Sequence, residues 1–451
     1  MAQSFLEPAE EAILAEASED GVLIAIIRLR RSEFPSDRWL ARGNRYGDSV
    51  LSKIRTDTGG RGKSLNDADV AEYVAASAPL HCSDGWSFLG GALAAHSRGD
   101  SDGARHLAYY AELRAAMSTL ACSGLGIFED RHIVVRADGI ATWLRSKPTH
   151  VMTWLTFERW ARLPSTASIL AELFRPQGIA MDEWVTAMTG GPAWQPVASK
   201  WLQSWGLDLS LFESDRSARN ESSYRPTRLT GRRSLDVSAT VAFLRDLWLA
   251  FEPTGSTFAQ LDLHLLRKSL ESVFEGIHDS PPRKMQQRWE IAVGDVLQAN
   301  SEEGALREAL RTFLLRTDGS RDIPLLSHAA RAGAPSQQDH HLRVISRAAL
   351  LLRVASGCCA RLLFKAGISG ADISFWWELL GDDRGLWVPG KPPVPLTALW
   401  ADVEAALDDI DEITAADTSV IASFQQFLDA CAGQVVVLSS CERIGLWSLA
   451  A

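Results

Sequence analysis

Two apolar segments joined by a short polar break, between Asp84 and Ala121, constrain the fold of this chain more than any other part of it. In the second segment large apolar and aromatic residues recur at steps of three and four: Leu107, Tyr110, Leu113, Met117 and Leu120. This spacing predicts an amphipathic helix that buries those residues as one stripe. Residues 97–103 form the predicted turn, with N-cap candidates at 100–102, and Gly124 suits the left-handed position past the helix end. A helical hairpin cannot bury its stripe alone, so the pattern predicts a bundle with at least two further helices.

Apolar spacing predicts helices along most of the remaining chain. The predicted helices cover residues 2–18, 149–162, 165–174, 181–189, 195–205, 237–251, 258–274, 285–299, 302–316, 339–366, 396–409 and 418–430. The apolar run at 22–29 suits either a strand or a buried helix, and the composition of 42–66 predicts a loop. Residues 126–139 alternate in short runs that predict a small β-hairpin. The expected fold is mainly α: a multi-helix bundle with a small β-hairpin insertion and a second, C-terminal helical domain.

The length of 451 residues suggests about two or three domains. We expect an N-terminal helical and linker region at 1–79, a helical bundle at 80–234 and a C-terminal helical domain at 235–451. No run approaches the roughly 18 apolar residues of a membrane span, so no membrane partner is expected. The acidic start lacks the basic and apolar parts of a secretory signal, which predicts a cytoplasmic protein.

Charge and cysteine pattern narrow the classes of function. A net charge of -10 argues against a protein that coats nucleic acid over its whole surface, but leaves room for a local basic patch. One such patch is rich in arginine: Arg216, Arg219, Arg225, Arg228, Arg232 and Arg233. The six cysteines are scattered without a CxxC pair, which predicts buried thiols and indicates neither a zinc site nor a disulfide framework. No metal or other cofactor is expected. Trp194, Trp201 and Trp205 share one helix face, where we expect them to anchor packing.

The segment Ala218-Arg-Asn-Glu-Ser-Ser-Tyr-Arg-Pro follows the Tyr-Tyr-Ala-Glu-Leu-Arg helix by about a hundred residues. Together they resemble HEPN-type helical proteins, in particular the YaaC-like branch associated with bacterial defence islands, over residues 80–250. The signature of that family is Arg, a polar residue, three residues of any kind and then His. Arg219 and Asn220 fit the first two places, and Tyr224 stands at the histidine position. The resemblance implies a bundle of four or five helices, often dimeric, whose active members cleave RNA without a metal ion.

The tyrosine matters for the chemistry that the resemblance implies. Metal-free RNA cleavage needs a base for the 2′-hydroxyl proton and an acid for the leaving 5′-oxygen, and histidine suits both roles. Tyrosine, with a reference pKa of about 10, is a poor base near pH 7. Arg219 is still suited to clamp a phosphate, and Asn220 to orient it. Arg145 and His150 match the same signature, although Pro148 between them indicates a helix start, and we interpret His150 as structural.

Three further patterns are weaker candidates. Residues 59–64, Gly-Gly-Arg-Gly-Lys-Ser, resemble the end of a phosphate-binding loop, but the required first glycine and the preceding strand are missing. His340, His341, Arg343 and Arg347 open a predicted helix, either as an anion site or as an ordinary exposed first turn. The acidic residues between Asp408 and Asp417 are typical of a solvated helix face.

The sequence thus supports two functions. The first is a HEPN-like component of a bacterial anti-phage defence system that binds or cleaves RNA through Arg219, Asn220 and Tyr224, with Arg216, Arg225, Arg228, Arg232 and Arg233 as nucleic-acid contacts. The second is a non-catalytic helical scaffold or regulatory subunit of a multi-protein defence complex, in which Tyr224 packs in the bundle and Arg219 pairs with a carboxylate such as Glu112. RNA, proteins from neighbouring genes and a second copy of the chain are the expected partners.

Overall fold

Helices dominate the chain, as the apolar spacing predicts. The computed structural model describes residues 5–60, 64–190, 198–224, 236–254, 257–278, 282–300, 304–317, 322–332, 337 and 339–450. The α-helices are α1 (Pro8–Leu14), α2 (Glu19–Ser32), α3 (Val50–Asp57), α4 (Asp67–His96), α5 (Ser101–Cys122), α6 (Thr149–Arg162), α7 (Pro164–Leu173), α8 (Met181–Thr189), α9 (Ala198–Ser204), α10 (Leu211–Tyr224), α11 (Val237–Ala250), α12 (Ala259–Ile277), α13 (Pro282–Asn300), α14 (Ala305–Leu315), α15 (Pro324–Ala329), α16 (His340–Lys365), α17 (Ser374–Arg384), α18 (Trp400–Ala416), α19 (Phe424–Leu438) and α20 (Glu442–Leu449). The mainly α, multi-helix prediction is confirmed.

The predicted β-hairpin is present and has a third strand. Strands β1 (Leu125–Gly126), β2 (Arg131–Val135) and β3 (Ala141–Arg145) form an antiparallel sheet in that order. Ile133 pairs with Trp143 in the β2–β3 register. A second pair of very short strands, β4 (Pro253–Thr254) and β5 (Thr257–Phe258), precedes α12. The sheet after α5 sets the path of the chain into α6.

The predicted hairpin of helices is α4 and α5, and α16 packs along both. Asp100 caps α5 by accepting a hydrogen bond from the Gly103 amide, and Gly124 takes the left-handed conformation with φ of 90°. The predicted stripe is only partly right, since Leu107, Tyr110 and Met117 are half-buried. The fully buried positions are instead mostly small, including Ala104, Ala108, Ala111 and Ala115. Small side chains let α4 and α16 approach α5 on two sides, so the larger residues lie at the edges of its buried surface.

Helix α4 also packs closely against the C-terminal α20 and against the turn that connects α19 to α20. A Cβ atom on Gly90 would lie 2.2 Å from the carbonyl oxygen of Ser439. Neighbouring Gly91 faces only the end of the Leu107 side chain, at 3.3 Å. Gly90 is therefore a contact point between backbones, whereas Gly91 is not.

The observed helices differ in several places from the predicted ones. The run at 22–29 is part of α2 and is largely buried, with Ile24 exposed, so the helix alternative is right. Helix α3 lies within the predicted loop at 42–66. Sequence reasoning missed α10, α15, α17 and α20. The predicted boundary between residues 79 and 80 falls inside α4, and the division into three regions stays a prediction.

The six cysteines are buried free thiols, as predicted. Trp201 and Trp205 are buried, and Trp194 lies outside the described residues. The acidic residues of α18 are exposed, as expected for a solvated face. In the described part of the chain, no helix is long and apolar enough to cross a membrane.

Candidate functional site

Helices α5, α6 and α10 meet at one partly exposed surface. The rings of Trp154 in α6 and Phe212 in α10 stack in parallel, with centroids 4.2 Å apart and an interplanar angle of 3°. Helices α6 and α10 also each pack against α5. Side chains from three helices are therefore held together by aromatic packing beneath them.

Arg219, on α10, is the centre of this surface. Its guanidinium lies 4.9 Å from the ring centroid of Tyr110 and 5.8 Å from that of Tyr109. It donates hydrogen bonds to the Tyr110 hydroxyl and to the side-chain oxygen of Asn220. Its Nε–H is buried and has no hydrogen-bond partner among the described residues. Aromatic faces and two polar partners thus fix the orientation of the guanidinium.

His150 lies in the first turn of α6, next to both tyrosines. Its Nδ1 shares a hydrogen bond of 3.1 Å with the Tyr109 hydroxyl, and the two rings stack. The ring of Tyr110 is 6.1 Å away, edge-on. Burial and the positive charge of Arg219 lower the pKa of His150. His150 is thus neutral at pH 7 and belongs to the same cluster as Arg219.

A second histidine, His106, lies in the first part of α5. Its ring centroid is 5.1 Å from that of Tyr110, and its Nδ1 shares a hydrogen bond of 2.9 Å with the Ser223 hydroxyl of α10. Burial and the charge of Arg219 lower the pKa of His106 as well. We call the group His106, Tyr109, Tyr110, His150, Arg219 and Asn220 the Arg219 site.

A buried ion pair anchors α10 one helical turn before Arg219. Arg347 of α16 donates two hydrogen bonds, of 2.8 and 2.6 Å, to the carboxylate of Asp215. A second carboxyl group, Glu112 of α5, lies 3.6 Å from Arg347 Nε, and neither of its oxygens accepts a hydrogen bond from a described residue. Burial and the neighbouring Asp215 raise the pKa of Glu112 well above its usual range. The folded chain therefore favours the protonated, neutral form of Glu112.

The predicted motif is only partly assembled. Arg219 and Asn220 are together, but the side chain of Tyr224 is 83% exposed at the end of α10. Tyr224 therefore does not pack in the bundle, and Arg219 contacts Tyr110 rather than Glu112. Both contacts expected for a scaffold role are wrong, because α10 turns Arg219 toward the aromatic surface and its Asp215 toward the core.

Only part of the predicted basic patch lies among the described residues. Arg216 is bound by Glu213 of its own helix, at 3.1 Å. Arg225, Arg228, Arg232 and Arg233 lie outside the described residues, as does part of the candidate phosphate-binding loop at 59–64.

The polar residues that open α16 are buried, so the expected exposed first turn is wrong. His341 shares a hydrogen bond of 3.1 Å with His96, and Arg343 donates to Asp339 and to the Ala332 carbonyl. His340 lies 3.7 Å from Asp215, and burial lowers its pKa to about 3. These groups bind one another inside the protein, which does not favour an anion site at this helix start.

The Arg219 site combines one oriented cation, two neutral imidazoles and two tyrosine rings, of which Tyr109 is fully buried and Tyr110 stacks on Phe88. A phosphate could bind the cation, and the imidazoles could transfer protons. Sequence reasoning interpreted His150 as structural and missed His106. The spacing of His106, Tyr109 and Tyr110, three and four residues apart on one helix face, was the available signal.

A comparison with protein-family models finds no match, and searches among curated proteins and solved structures find no similar protein. The HEPN resemblance therefore stays a prediction. Within the ranges that the structure describes, no group of three or more His, Cys, Asp or Glu side chains could hold a metal ion.

Proposed function

We propose that this protein binds RNA at the Arg219 site and cleaves it without a metal ion, as a HEPN-like component of a bacterial anti-phage defence system. The supporting observation is the flanking of Arg219 and Tyr110 by two histidines, His106 and His150, from different helices. The signature motif lacks its histidine in the sequence, and these two supply imidazoles from elsewhere in the chain.

The proposed reaction is an internal transesterification. One imidazole takes the proton of the ribose 2′-hydroxyl, whose oxygen attacks phosphorus. The bond from phosphorus to the 5′-oxygen breaks, and the other imidazole, in its protonated form, gives a proton to that oxygen. The products are a 2′,3′-cyclic phosphate and a 5′-hydroxyl. Arg219 stabilises the negative charge of the phosphate, and the tyrosine rings hold its guanidinium in place.

The direct test is incubation of the purified protein with tRNA and total RNA, with and without EDTA. We expect cleavage that EDTA does not abolish and products that end in a cyclic phosphate. Replacing Arg219 by Ala should weaken RNA binding by roughly 10–100-fold, since hydrogen bonds to a charged group contribute about 1.5–3 kcal/mol. Arg162→Ala is the matched control, because Arg162 is exposed at the far end of α6 and pairs only with Glu158 among the described residues.

Binding without cleavage would reduce the proposal to an RNA-binding role. Neither binding nor cleavage, with Arg219→Ala lowering only the melting temperature, would favour the alternative function of a scaffold or regulatory subunit. The direct contacts of Arg219 with Tyr110 and Asn220 are the observation that supports that alternative.

The expected cellular location and partners follow from the HEPN resemblance and from the sequence. We expect the protein to act in the cytoplasm, with RNA and the products of neighbouring genes as partners. A homodimer is also expected, and size-exclusion chromatography with light scattering tests it directly.

A further inference from the structure

An open pocket of about 530 Å³ adjoins the Arg219 site and shares two of its residues, Tyr110 and His150. Leu113 and Met117, on the next turns of α5, give it an apolar wall. Its volume lies within the range of about 300–1,000 Å³ that is usual for small-molecule sites. Aromatic and aliphatic walls beside a phosphate-binding group suit a nucleobase better than a second phosphate.

The opposite wall of the pocket carries paired charges. Arg55 of α3 forms an ion pair with Glu129, which lies in the turn between β1 and β2. The next residue, Asp130, accepts hydrogen bonds from Arg131 and Arg145. Burial raises the pKa of Asp130, but the positive charges of these two arginines outweigh that effect and lower it. Its carboxylate therefore stays ionised. Both carboxylates already accept hydrogen bonds from arginines, so the wall offers their remaining lone pairs as acceptors next to a guanidinium as donor.

Among the RNA bases, guanine matches this wall best. A carboxylate has two acceptor oxygens and no donor, and guanine alone presents two adjacent donors, N1–H and N2–H, on its pairing edge. Guanine also presents the acceptors O6 and N7, which an arginine can bind with two hydrogen bonds. Adenine and cytosine place an acceptor beside their single amino group, and uracil flanks its N–H with two carbonyl groups.

We infer that the pocket binds a guanine base, packed against Leu113 and Met117 and held by Glu129 and Asp130, so that the protein selects guanosine next to the phosphate at Arg219. The inference rests on the proposed RNA-binding function. It adds a base preference, which the proposed function does not require.

Fluorescence anisotropy with single-stranded RNA octamers tests the inference. The octamers carry G, A, C, U or inosine at one central position in an otherwise identical sequence. We expect the G octamer to bind about tenfold more tightly than the A octamer, with inosine in between because it lacks the 2-amino group. Asp130→Asn and Glu129→Gln should remove the preference for G by lowering the affinity for the G octamer about tenfold, to that of the A octamer. Circular dichroism melting of each variant checks that the chain folds, and Glu158→Gln is the control for an exposed carboxylate outside the pocket.

The outcomes separate the two proposals. Equal binding of all octamers would overturn the guanine pocket and leave RNA binding at Arg219 intact. No binding of any octamer would overturn the proposed function. Binding of free guanosine monophosphate, measured by isothermal titration calorimetry, without binding of any octamer would overturn base selection in RNA and assign the pocket to a free nucleotide.

Discussion

At the scale of single residues, the two histidines of the Arg219 site set the pH dependence of the proposed cleavage. Burial and the Arg219 charge lower the pKa of both His106 and His150. One imidazole must be neutral and the other protonated, so the reactive form is most abundant between two pKa values that both lie below 6.5. We expect the rate to peak below pH 6.5 and to fall about tenfold per pH unit above that range. Single-turnover rates between pH 4.5 and 8.5 measure this profile.

The histidine variants complete that test. His106→Ala and His150→Ala should each remove one limb of the profile. A rate that rises steadily to pH 8.5 would rule out both imidazoles as the acid. A profile that neither substitution changes would place the proton transfer elsewhere.

Glu112 provides a second prediction at this scale, concerning the free energy of unfolding. Its pKa is raised in the folded chain, so the stability that it contributes is complete below its unfolded pKa of about 4.5 and is lost as the pH rises through the folded value. Glu112→Gln keeps the shape and removes the titration. We expect the variant to melt above the wild type at pH 8, at about 1 °C per kcal/mol gained for a chain of 451 residues, and the difference to shrink toward pH 5.

Differential scanning calorimetry at pH 5, 6.5 and 8 measures the difference. Glu404→Gln serves as the control, because Glu404 is exposed on α18. A difference between Glu112→Gln and the wild type that stays constant with pH would show that Glu112 is ionised throughout.

Only some residues of the candidate site could be predicted from the sequence. Arg219 and Asn220 were predicted from a short motif, and the structure brings them together. His106 could not be connected to Ser223 in advance, because nothing local relates residues 117 positions apart. Tyr224 matched the motif by position only, since its exposure depends on how α10 is rotated against α5.

At the scale of helices, the crossing of α4 with the turn between α19 and α20 depends on Gly90. Gly90→Ala would force its new methyl group into the Ser439 carbonyl, and we expect a loss of about 1–3 kcal/mol in the free energy of unfolding. Gly91→Ala is the matched control: it meets only the flexible end of Leu107, and a helical Ala is favoured over Gly by up to about 1 kcal/mol. Urea denaturation of both variants gives the comparison. Equal effects would mean that the crossing can relax.

The ion pair between α10 and α16 gives a further prediction at this scale. Arg347→Met removes the cation that binds Asp215 and lies beside Glu112, and we expect a loss of about 3–5 kcal/mol in the free energy of unfolding. Adding Asp215→Leu and Glu112→Leu to the same chain should recover most of that loss, because apolar groups fill the space without unmet charge. Chemical denaturation of the single and triple variants measures the free energy of unfolding of each. If the triple variant recovers none of the loss, the packing of the Arg347 side chain contributes more to stability than its charge.

Helices differed in how well the sequence predicted them. Helix α6 matches its predicted residues because its apolar side chains recur with a clear period. Helix α10 was missed because its buried face consists of Phe212, Asp215 and Ala218, of which only one is large and apolar. An aspartate turned inward has no signature in an apolar pattern, since its partner Arg347 is 132 residues away.

At the scale of the whole molecule, one contiguous cluster of buried apolar residues extends from Leu14 to Leu449. Helix α16, from the predicted third region, packs on α4 and α5. We therefore expect thermal unfolding in a single transition, with equal calorimetric and van't Hoff enthalpies, because no part can open without exposing the shared core. Two resolved transitions would instead support the predicted division near residue 235.

Helix α16 fixes the spacing between two ion pairs, one to α10 and one to α12. Arg347 binds Asp215 of α10, while Arg353, six residues on, donates two hydrogen bonds to Asp262 of α12. Inserting one residue between these arginines would rotate one guanidinium by about 100° relative to the other, since a turn takes 3.6 residues. If the helix kept one of these two ion pairs, the other would break. Homologous chains should accordingly vary in length at their surface connections and keep this six-residue interval unchanged.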